Sequence, residues 1–231
     1  ITKKTKAIIP VHLFGLSCDI GRVCEIANKH NLKVIEDGAC GFSSFFEKKH
    51  VGNFGDTGCF SFHPRKAITS GEGGMITTND DNLAQKLRSF RDHGAEMSDL
   101  QRHLGAKPYL LSAYPYAGYN FRMTDLQAAV AVPQMKRAKE NSKLRLKLSK
   151  KFNNLIDSVE WLSYPKFDSR FTHGYQSYVC LFQPEEITTK NVEKINLLRN
   201  KFMEYLQENG ISPRPGTHSV HALDFYKRKY N

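Results

Sequence analysis

The chain has 231 residues, of which 40% are hydrophobic and 25% charged, and its formal net charge is +11. This composition predicts a folded globular protein with a substantial core and excludes a disordered chain. No apolar run in the sequence approaches the roughly 18 residues that a membrane-spanning helix needs, and its first residues lack the layout of a signal peptide. We therefore predict a cytoplasmic protein that makes no membrane contact.

The cysteines and the basic charge each suggest a function that their distribution disfavours. The five cysteines are scattered and never form a Cys-x-x-Cys pair, so neither a disulfide framework nor a zinc ribbon is indicated. Much of the positive charge lies in residues 135–151, where it alternates with leucines at helical spacing. A solvated helix face explains that run, and no nucleic-acid recognition motif accompanies it. We predict no metal and no nucleic-acid partner.

The first elements form a strand, helix, strand unit. TKAIIPVHLFG contains an apolar run typical of a buried strand, DIGRVCEIANKHN has helical spacing behind a capping Asp19, and LKVIEDG is a second strand. Such a βαβ unit predicts a parallel sheet, in which ligands bind beyond the carboxyl ends of the strands. This places His12, Glu36 and Asp37 at a candidate site.

Two further strands, GCFSF and GMITT, flank a segment that contains Lys66 among glycines and small polar residues. Asn79 or Asp80 then caps a helix that ends at Gly94. Glycine and small polar residues without hydrophobic periodicity predict that the lysine lies in the connection between two strands.

Residues 95–118 are predicted to be irregular, and Thr124 then begins a helix that bends near Pro133. Beyond that helix, helical and strand patterns alternate in a way that suits a second, smaller domain. We therefore predict two domains, with residues 1–134 in a large domain and residues 135–231 forming a linking helix and part of a small one. The chain opens on Ile1 rather than Met, so we expect it to be a fragment of a longer protein.

Three polar residues could together serve a pyridoxal cofactor. Such a cofactor needs an amine for its aldehyde, a carboxylate for its ring nitrogen and hydroxyl donors for its phosphate. Lys66, Asp37 and Ser61 supply one of each. Taken alone, Asp37 is better explained as a turn residue and Ser61 as an ordinary strand hydroxyl. A desolvated lysine, however, becomes nucleophilic enough to form a Schiff base.

A series of motifs in the same order identifies a family. VIEDGACGF, VGNFGDTGCFSFHPRKAITSGEGGMITTND, HG and GYNFRMTDLQAA resemble the DegT/DnrJ/StrS nucleotide-sugar aminotransferases, which have the aspartate-aminotransferase fold of pyridoxal-phosphate enzymes. The resemblance covers nearly the whole chain. It implies an α/β fold of three layers with a mostly parallel sheet, followed by a small α+β domain.

The resemblance also implies roles for individual residues. Lys66 would form the Schiff base with pyridoxal 5'-phosphate and move the proton, while Asp37 would keep the ring nitrogen protonated. Ser61 would contact the phosphate, and Asn120 would reach the phosphate of a neighbouring subunit's cofactor, so a homodimer with shared sites is expected. Cys40 would pack against the ring. The residues expected near substrate are His63, Arg122 and His218.

The reaction implied is transfer of an amino group, with glutamate as the expected donor, to a keto group of a nucleotide-linked sugar. A 4-keto-6-deoxy sugar used in polysaccharide or O-antigen biosynthesis is the expected acceptor. Lys66 favours amino transfer, because sugar dehydratases of the family carry histidine there. The His218 and His221 pair lacks a third metal ligand at suitable spacing. The phosphate-binding loop of the family would lie upstream of Ile1, so a non-catalytic member that binds a partner is the alternative.

Overall fold

The computed structural model describes residues 1–97, 104–105, 109 and 111–230. The helices in this part of the chain are α1 (Ile20–Lys29), α2 (Asp81–Arg91), α3 (Asp125–Ile156), α4 (Val192–Glu208) and α5 (Asp224–Tyr230). The strands are β1 (Ala7–Ile8), β2 (Lys33–Asp37), β3 (Phe45–Phe46), β4 (Lys49–His50), β5 (Thr57–Ser61), β6 (Gly74–Thr77), β7 (Leu162–Ser163), β8 (Phe171–Thr172) and β9 (Leu181–Phe182). None of the described helices is both long and apolar enough to cross a membrane.

The chain divides into two compact units. The first contains Ile1–Ser149 together with the later segment Phe167–Tyr178, and the second contains Lys150–Lys166 and the chain from Val179 onward. The later segment joins the first unit through β8, which pairs antiparallel with β3. In the second unit, β7 and β9 form an antiparallel pair. The domain boundary expected after residue 134 stays a prediction.

The first unit contains a four-stranded sheet in the order β1-β2-β5-β6. Strands β1, β2 and β5 are parallel, and β6 is antiparallel to β5. The predicted strand, helix, strand unit is confirmed, because α1 connects β1 to its parallel neighbour β2. Strand β1 ends at Ile8, earlier than its apolar run suggests, because Pro10 has no N–H for the ladder. Pairing returns as a single bridge between Val11 and Asp37.

The helix starts follow the predicted caps Asp19, Asp80 and Thr124. Asp80 is the cap of α2, and its carboxylate accepts the N–H of Leu83 at 3.0 Å. Thr124 and Gln127 form a reciprocal capping box, in which each side chain accepts the other's N–H, at 3.2 and 2.9 Å. Helix α3 then continues through its proline, and the bend expected there stays a prediction.

The core of the first unit lies between α1 and the sheet. Ile20 and Ala27 of α1 are buried against Val34 of β2 and Phe46 of β3. The ring of Phe46 also meets the ring of Phe171 edge-on, with 5.1 Å between centroids. Burying a side chain as large as isoleucine or phenylalanine contributes about 1.5–3 kcal/mol. Phe171 belongs to β8, so this strand helps to stabilise the sheet although it comes from a distant part of the chain.

The carboxylate of Glu36, in β2, is fully buried and accepts hydrogen bonds from four N–H groups. Its Oε2 accepts from His12 Nε2 at 3.0 Å and from the N–H of Gly52 at 2.7 Å. Its Oε1 accepts from the N–H groups of Phe54 and Gly55 at 2.7 and 2.8 Å. Burial by itself raises the pKa of this carboxyl, but the hydrogen bonds outweigh burial and lower it. Glu36 is therefore an ionised group that joins the end of β1 to the loop before β5.

His12 and Glu36 belong to the interior, although the sequence pattern placed both at the candidate site. His12 Nδ1 accepts the N–H of Cys18 at 3.3 Å, so Nε2 carries the proton that Glu36 accepts. Neither side chain of the pair is exposed. Because consecutive side chains of a strand point to opposite faces, the inward Glu36 directs Asp37 to the other face of the sheet.

We expect Glu36→Gln to lower the free energy of unfolding by roughly 1–3 kcal/mol, because an amide cannot accept four N–H donors in a buried site. Hydrogen exchange of the amides of Gly52, Phe54 and Gly55 measures this loss locally, and their protection should fall. The matched control is Glu25→Gln, since Glu25 is an exposed glutamate of α1 paired with Arg22. Unchanged protection in the Glu36 variant would contradict the proposed ionised state.

Candidate functional site

Asp37 and Ser61 lie at the same edge of the sheet. Strands β2 and β5 pair with Asp37 opposite Cys59, and Ser61 ends β5 two residues later. Burial, together with the nearby carboxylate of Asp37, raises the pKa of the Cys59 thiol. Asp37 Oδ1 also accepts the N–H of Ala39 at 3.0 Å, which makes Asp37 a turn residue as well as a charged group at this edge.

Lys66 lies in the connection between β5 and β6, as the flanking strand patterns predict. The connection covers residues 62–73, and its two ends meet where the N–H of Phe62 donates to the carbonyl of Gly73 at 2.9 Å. The N–H of Ser70 also donates to the carbonyl of Phe62, at 3.0 Å. Within the connection, a turn brings the N–H of Lys66 to the carbonyl of His63 at 2.9 Å. The lysine backbone is therefore fixed by the loop itself.

The side chain of Lys66 extends to the loop that follows Asp37. Its Nζ lies 3.4 Å from Sγ of Cys40, which is three residues after Asp37. The amine and the thiol thus meet beyond the carboxyl end of β2, in the loop that Asp37 begins. Lys66 and Cys40 are both half-buried, which leaves the amine partly accessible.

Two side-chain amides from distant segments hold the lysine loop. Gln176 Nε2 donates to the carbonyl of Arg65 at 2.8 Å, directly before Lys66. Gln127 Nε2, in the first turn of α3, donates to the carbonyl of Glu72 at 3.1 Å. Sequence reasoning missed both glutamines, because their partners are backbone carbonyls 111 and 55 residues away and leave no local pattern.

His63 is tied to its own loop. Its Nδ1 accepts the N–H of Arg65 at 3.1 Å, and its Nε2 lies 3.8 Å from Oε1 of Glu72. Both side chains of the His63 and Glu72 pair are partly exposed. The expected contact of His63 with substrate stays a prediction.

Asn120 lies beside the C-terminal end of α2. A bridge pairs Asn120 with Asp92, and the N–H of His93 donates to the carbonyl of Tyr119 at 2.8 Å. A Cβ on Gly118 would lie only 2.1 Å from the nitrogen of Gly94, so the HG and GYNFRM motifs meet through their glycines. Asn120 itself is exposed.

Arg122 forms an ion pair with Asp92, whose side chain is only 13% exposed. The pair holds the GYNFRM segment against the end of α2. The guanidinium of Arg122 thus has a described structural partner. Its expected role at the substrate stays a prediction.

His218 lies in the second compact unit and is exposed. Its expected substrate contact stays a prediction. Within the described residues, no group of three or more His, Cys, Asp or Glu side chains could hold a metal ion.

The later segment of the first unit supports the loop after β1. The carbonyl of Gly15 accepts the N–H of Gly174 at 2.7 Å and the hydroxyl of Ser44 at 2.6 Å. The ring of His173 stacks on the ring of Tyr175 with 3.9 Å between centroids, and its Nδ1 accepts the N–H of Tyr175. Burial lowers the pKa of His173 to about 4. The same segment carries Gln176, so it reaches the lysine loop as well.

A family model matches this arrangement over the whole chain. Residues 1–231 match the DegT/DnrJ/EryC1/StrS aminotransferase family. The chain belongs to this family, and the predicted family is therefore confirmed. A putative sugar aminotransferase of Streptococcus pneumoniae, solved in a PLP form, superposes with a TM-score of 0.84 at 20% identity, covering 100% of this chain and 59% of that one, which supports the fold.

Individual relatives agree with this assignment. The chain is 35% identical over 228 residues to a GDP-perosamine synthase of Caulobacter vibrioides, covering 98% of this chain and 56% of that protein. It is 34% identical over 230 residues to a GDP-perosamine synthase of Escherichia coli O157:H7, covering 100% of this chain and 57% of that protein. The chain therefore spans little more than half the length of these relatives.

The fold is confirmed by solved structures. The aminotransferase PseC of Helicobacter pylori, which is involved in the biosynthesis of pseudoaminic acid, superposes with a TM-score of 0.85 at 24% identity, covering 100% of this chain and 57% of that one. The predicted α/β fold of the pyridoxal-phosphate transferases is thus correct, with a mixed sheet in which β6 is the antiparallel strand.

The residues at the sheet edge fit pyridoxal phosphate by the chemistry of their donor groups. The Lys66 amine suits the aldehyde, and the Asp37 carboxylate suits a protonated ring nitrogen. Ser61 Oγ accepts the N–H of His63 at 3.3 Å, so its own O–H proton can be donated to a phosphate oxygen. A carboxylate, a hydroxyl and an amine of the types that the cofactor requires therefore lie on β2, on β5 and in the connection after β5.

Titration of His173 should make the stability of the first unit depend on pH. Since its pKa is about 4 in the folded protein and 6.5 ordinarily, the unfolded chain binds more protons between these values. Stability is then fully present above about pH 6.5 and falls as the pH drops to about 4. Urea unfolding followed by circular dichroism measures the free energy of unfolding at each pH in this range. In His173→Gln this free energy should change less steeply with pH than in the unaltered protein. The control is His30→Gln, at the exposed end of α1, and it should keep the pH dependence of the unaltered protein. If both variants show the same pH dependence, His173 is not its source.

Proposed function

We propose that the protein containing this chain is a pyridoxal-phosphate-dependent aminotransferase that acts on a nucleotide-linked sugar. The observation that carries the proposal is the contact of the Lys66 amine with Cys40, immediately beyond the strand that ends in Asp37. This contact places the Lys66 amine beside the loop that follows Asp37. Family membership supports the reaction class.

Lys66 is proposed to bind the aldehyde of the cofactor covalently and, once released, to move a proton at the substrate carbon. A lysine Nζ can do both, because it is a nucleophile and a base when neutral. When bound, the cofactor supplies an electron sink for the reacting carbon. Asp37 holds the proton of the ring nitrogen through its negative charge, and the turn to Ala39 keeps its carboxylate in place.

Ser61 and Asn120 are proposed to bind phosphate, Asn120 in the neighbouring copy of a homodimer. Asn120 is exposed between Tyr119 and Phe121, whose side chains are 62% and 70% exposed. Two large exposed aromatic rings beside a polar side chain suit an interface between subunits better than contact with water. Cys40 is proposed to lie against the cofactor ring, because its thiol meets the Lys66 amine.

The proposed acceptor is a keto sugar linked to a nucleoside diphosphate, and the proposed donor is an amino acid such as glutamate. The GDP-perosamine synthases at 34% and 35% identity support a nucleotide-linked acceptor. A 4-keto-6-deoxy sugar destined for a polysaccharide is the specific proposal. His63, Arg122 and His218 are the proposed substrate contacts, and the protein is proposed to act in the cytoplasm, where such sugars are made.

Replacing the amine tests the catalytic role of Lys66. In the full-length protein, Lys66→Arg should lower amino transfer by at least about 100-fold, because arginine can neither bind the aldehyde nor return a proton. Borohydride reduction should fix cofactor mass on the Lys66 peptide of the unaltered protein and on no peptide of the variant. The matched control is Lys86→Arg, because Lys86 is an exposed lysine of α2. Retained transfer in Lys66→Arg, or cofactor mass on another lysine, would refute the proposal.

Mixing two inactive variants tests whether the sites are shared between subunits. Lys66→Arg and Asn120→Ala damage different halves of a shared site, so a mixed dimer keeps one intact site. If subunits exchange at random, activity should return to roughly a quarter of the unaltered level. The measurement is amino transfer after the two proteins are unfolded and refolded together. Mixtures as inactive as their parents would contradict a shared site, and a monomer in solution would exclude it.

A further inference from the structure

The contact between Cys40 and Lys66 joins two nucleophilic side chains that are 26 residues apart in the sequence. Their Sγ and Nζ atoms are 3.4 Å apart, which lies within the roughly 3–3.5 Å of atoms poised to react. Aminotransfer chemistry uses the amine but has no evident need of a thiol in contact with it. The two side chains are therefore placed for a reaction with each other that aminotransfer does not use.

Each partner stands on its own backbone turn, so the main-chain positions of both residues are set before their side chains meet. On the cysteine side, the N–H of Gly41 donates to the carbonyl of Gly38 at 2.8 Å. A Cβ on Gly41 would lie 2.8 Å from the side chain of Val51, so this loop is tightly packed. On the lysine side, the turn to His63 and the hydrogen bond from Gln176 fix the backbone. Preorganisation of this kind raises the effective concentration of one group at the other.

We propose that Cys40 and Lys66 form an oxidation site, at which a peroxide converts the pair into a covalent sulfur–nitrogen cross-link. The proposal goes beyond the proposed aminotransfer and assigns to Cys40 a reaction of its own. It concerns only residues of this chain, and the cross-link forms without a cofactor.

The reaction takes place in two balanced steps. In the first, the Cys40 thiol attacks hydrogen peroxide, sulfur is oxidised to a sulfenic acid, and peroxide is reduced with release of water. In the second, the lone pair of neutral Lys66 Nζ forms the S–N bond while the S–O bond breaks, and the oxygen leaves as water with one amine proton. The net change in the protein is the loss of two hydrogen atoms. Two equivalents of a thiol reductant reverse it and yield the free pair and a disulfide of the reductant.

The other cysteines compete poorly for the oxidant. Burial raises the pKa of the thiols of Cys18, Cys24 and Cys59, and for Cys18 the value reaches about 11, so little of each is present as reactive thiolate. Cys180 is exposed, and partial desolvation raises the pKa of its thiol as well. Cys24 Sγ, moreover, is directed at the carbonyl of Phe54 at 3.8 Å rather than at an amine. Of the five cysteines, Cys40 is the one whose sulfur accepts a described hydrogen bond from a lysine.

The consequence is a reversible block of Lys66. An amine held in an S–N bond cannot react with an aldehyde or move a proton, so the cross-linked protein loses the nucleophile of the candidate site. Oxidation therefore switches the site off without damaging the fold, and a cellular thiol restores it.

Mass spectrometry of the full-length protein, freed of cofactor, tests the proposal directly. After treatment with hydrogen peroxide, the intact mass should fall by about 2 Da, and dithiothreitol should restore it. A protease digest should contain the Cys40 peptide joined to the Lys66 peptide. Accumulation of oxygen-bearing Cys40 with free Lys66 would overturn the proposal.

Matched variants exclude the alternative of a disulfide, which has the same mass change. Cys59→Ser should still lose about 2 Da, because the proposed bond does not use Cys59. Cys40→Ser should not lose this mass. Lys66→Arg should instead carry a sulfenic acid on Cys40 that reacts with dimedone. If Cys59→Ser abolishes the mass loss, or Lys66→Arg retains it, a disulfide is the product and the proposal is wrong.

Adding pyridoxal phosphate before the peroxide separates this proposal from the proposed function. If Lys66 binds the cofactor, cross-linking should slow at least severalfold, because the amine is already in use. A cross-link that forms equally fast with cofactor present supports the oxidation site but counts against Lys66 as the cofactor residue. No cross-link in the cofactor-free protein overturns the oxidation site whatever the cofactor does.

Discussion

The candidate site depends above all on the buried carboxylate of Glu36. Four N–H groups, from His12 after β1 and from the loop before β5, converge on it, and a neutral amide in its place could not accept all four. Because Glu36 must point inward to meet them, Asp37 must point to the opposite face. One electrostatic requirement in the interior therefore fixes both the register of β2 and the direction of the carboxylate at the sheet edge.

Strand pairing and backbone hydrogen bonds also set the position of Lys66. Strand β5 carries the chain to the edge beside Asp37, and the connection to β6 closes on itself through backbone hydrogen bonds. Two amides from remote segments, Gln127 and Gln176, then hold the carbonyls of Glu72 and Arg65 on either side of Lys66. The loop is thus positioned by groups that do not take part in chemistry, and its buried side chains Phe62 and Ile68 anchor it further.

Local patterns predicted the first strand, helix, strand unit, the caps at Asp19 and Thr124, and the connection that contains Lys66. Each of these depends on neighbouring residues, so the sequence carries its signal. The return of residues 167–178 to the first unit could not be predicted, because β8 pairs with a two-residue strand more than 100 residues away. His12 was misplaced for a related reason: its partner on the next strand decides whether it faces the interior or the ligand.

A fixed lysine beside a fixed cysteine also shows a cost of preorganisation. The turns that hold Lys66 ready for a carbonyl carbon hold it equally ready for any electrophile within 3.4 Å, and an oxidised Cys40 is such an electrophile. A mobile lysine would escape this reaction, but it would also lose the advantage of orientation that makes it useful. The chemistry available to the site is therefore set by which group reaches the amine first, the aldehyde of a cofactor or the sulfur of Cys40.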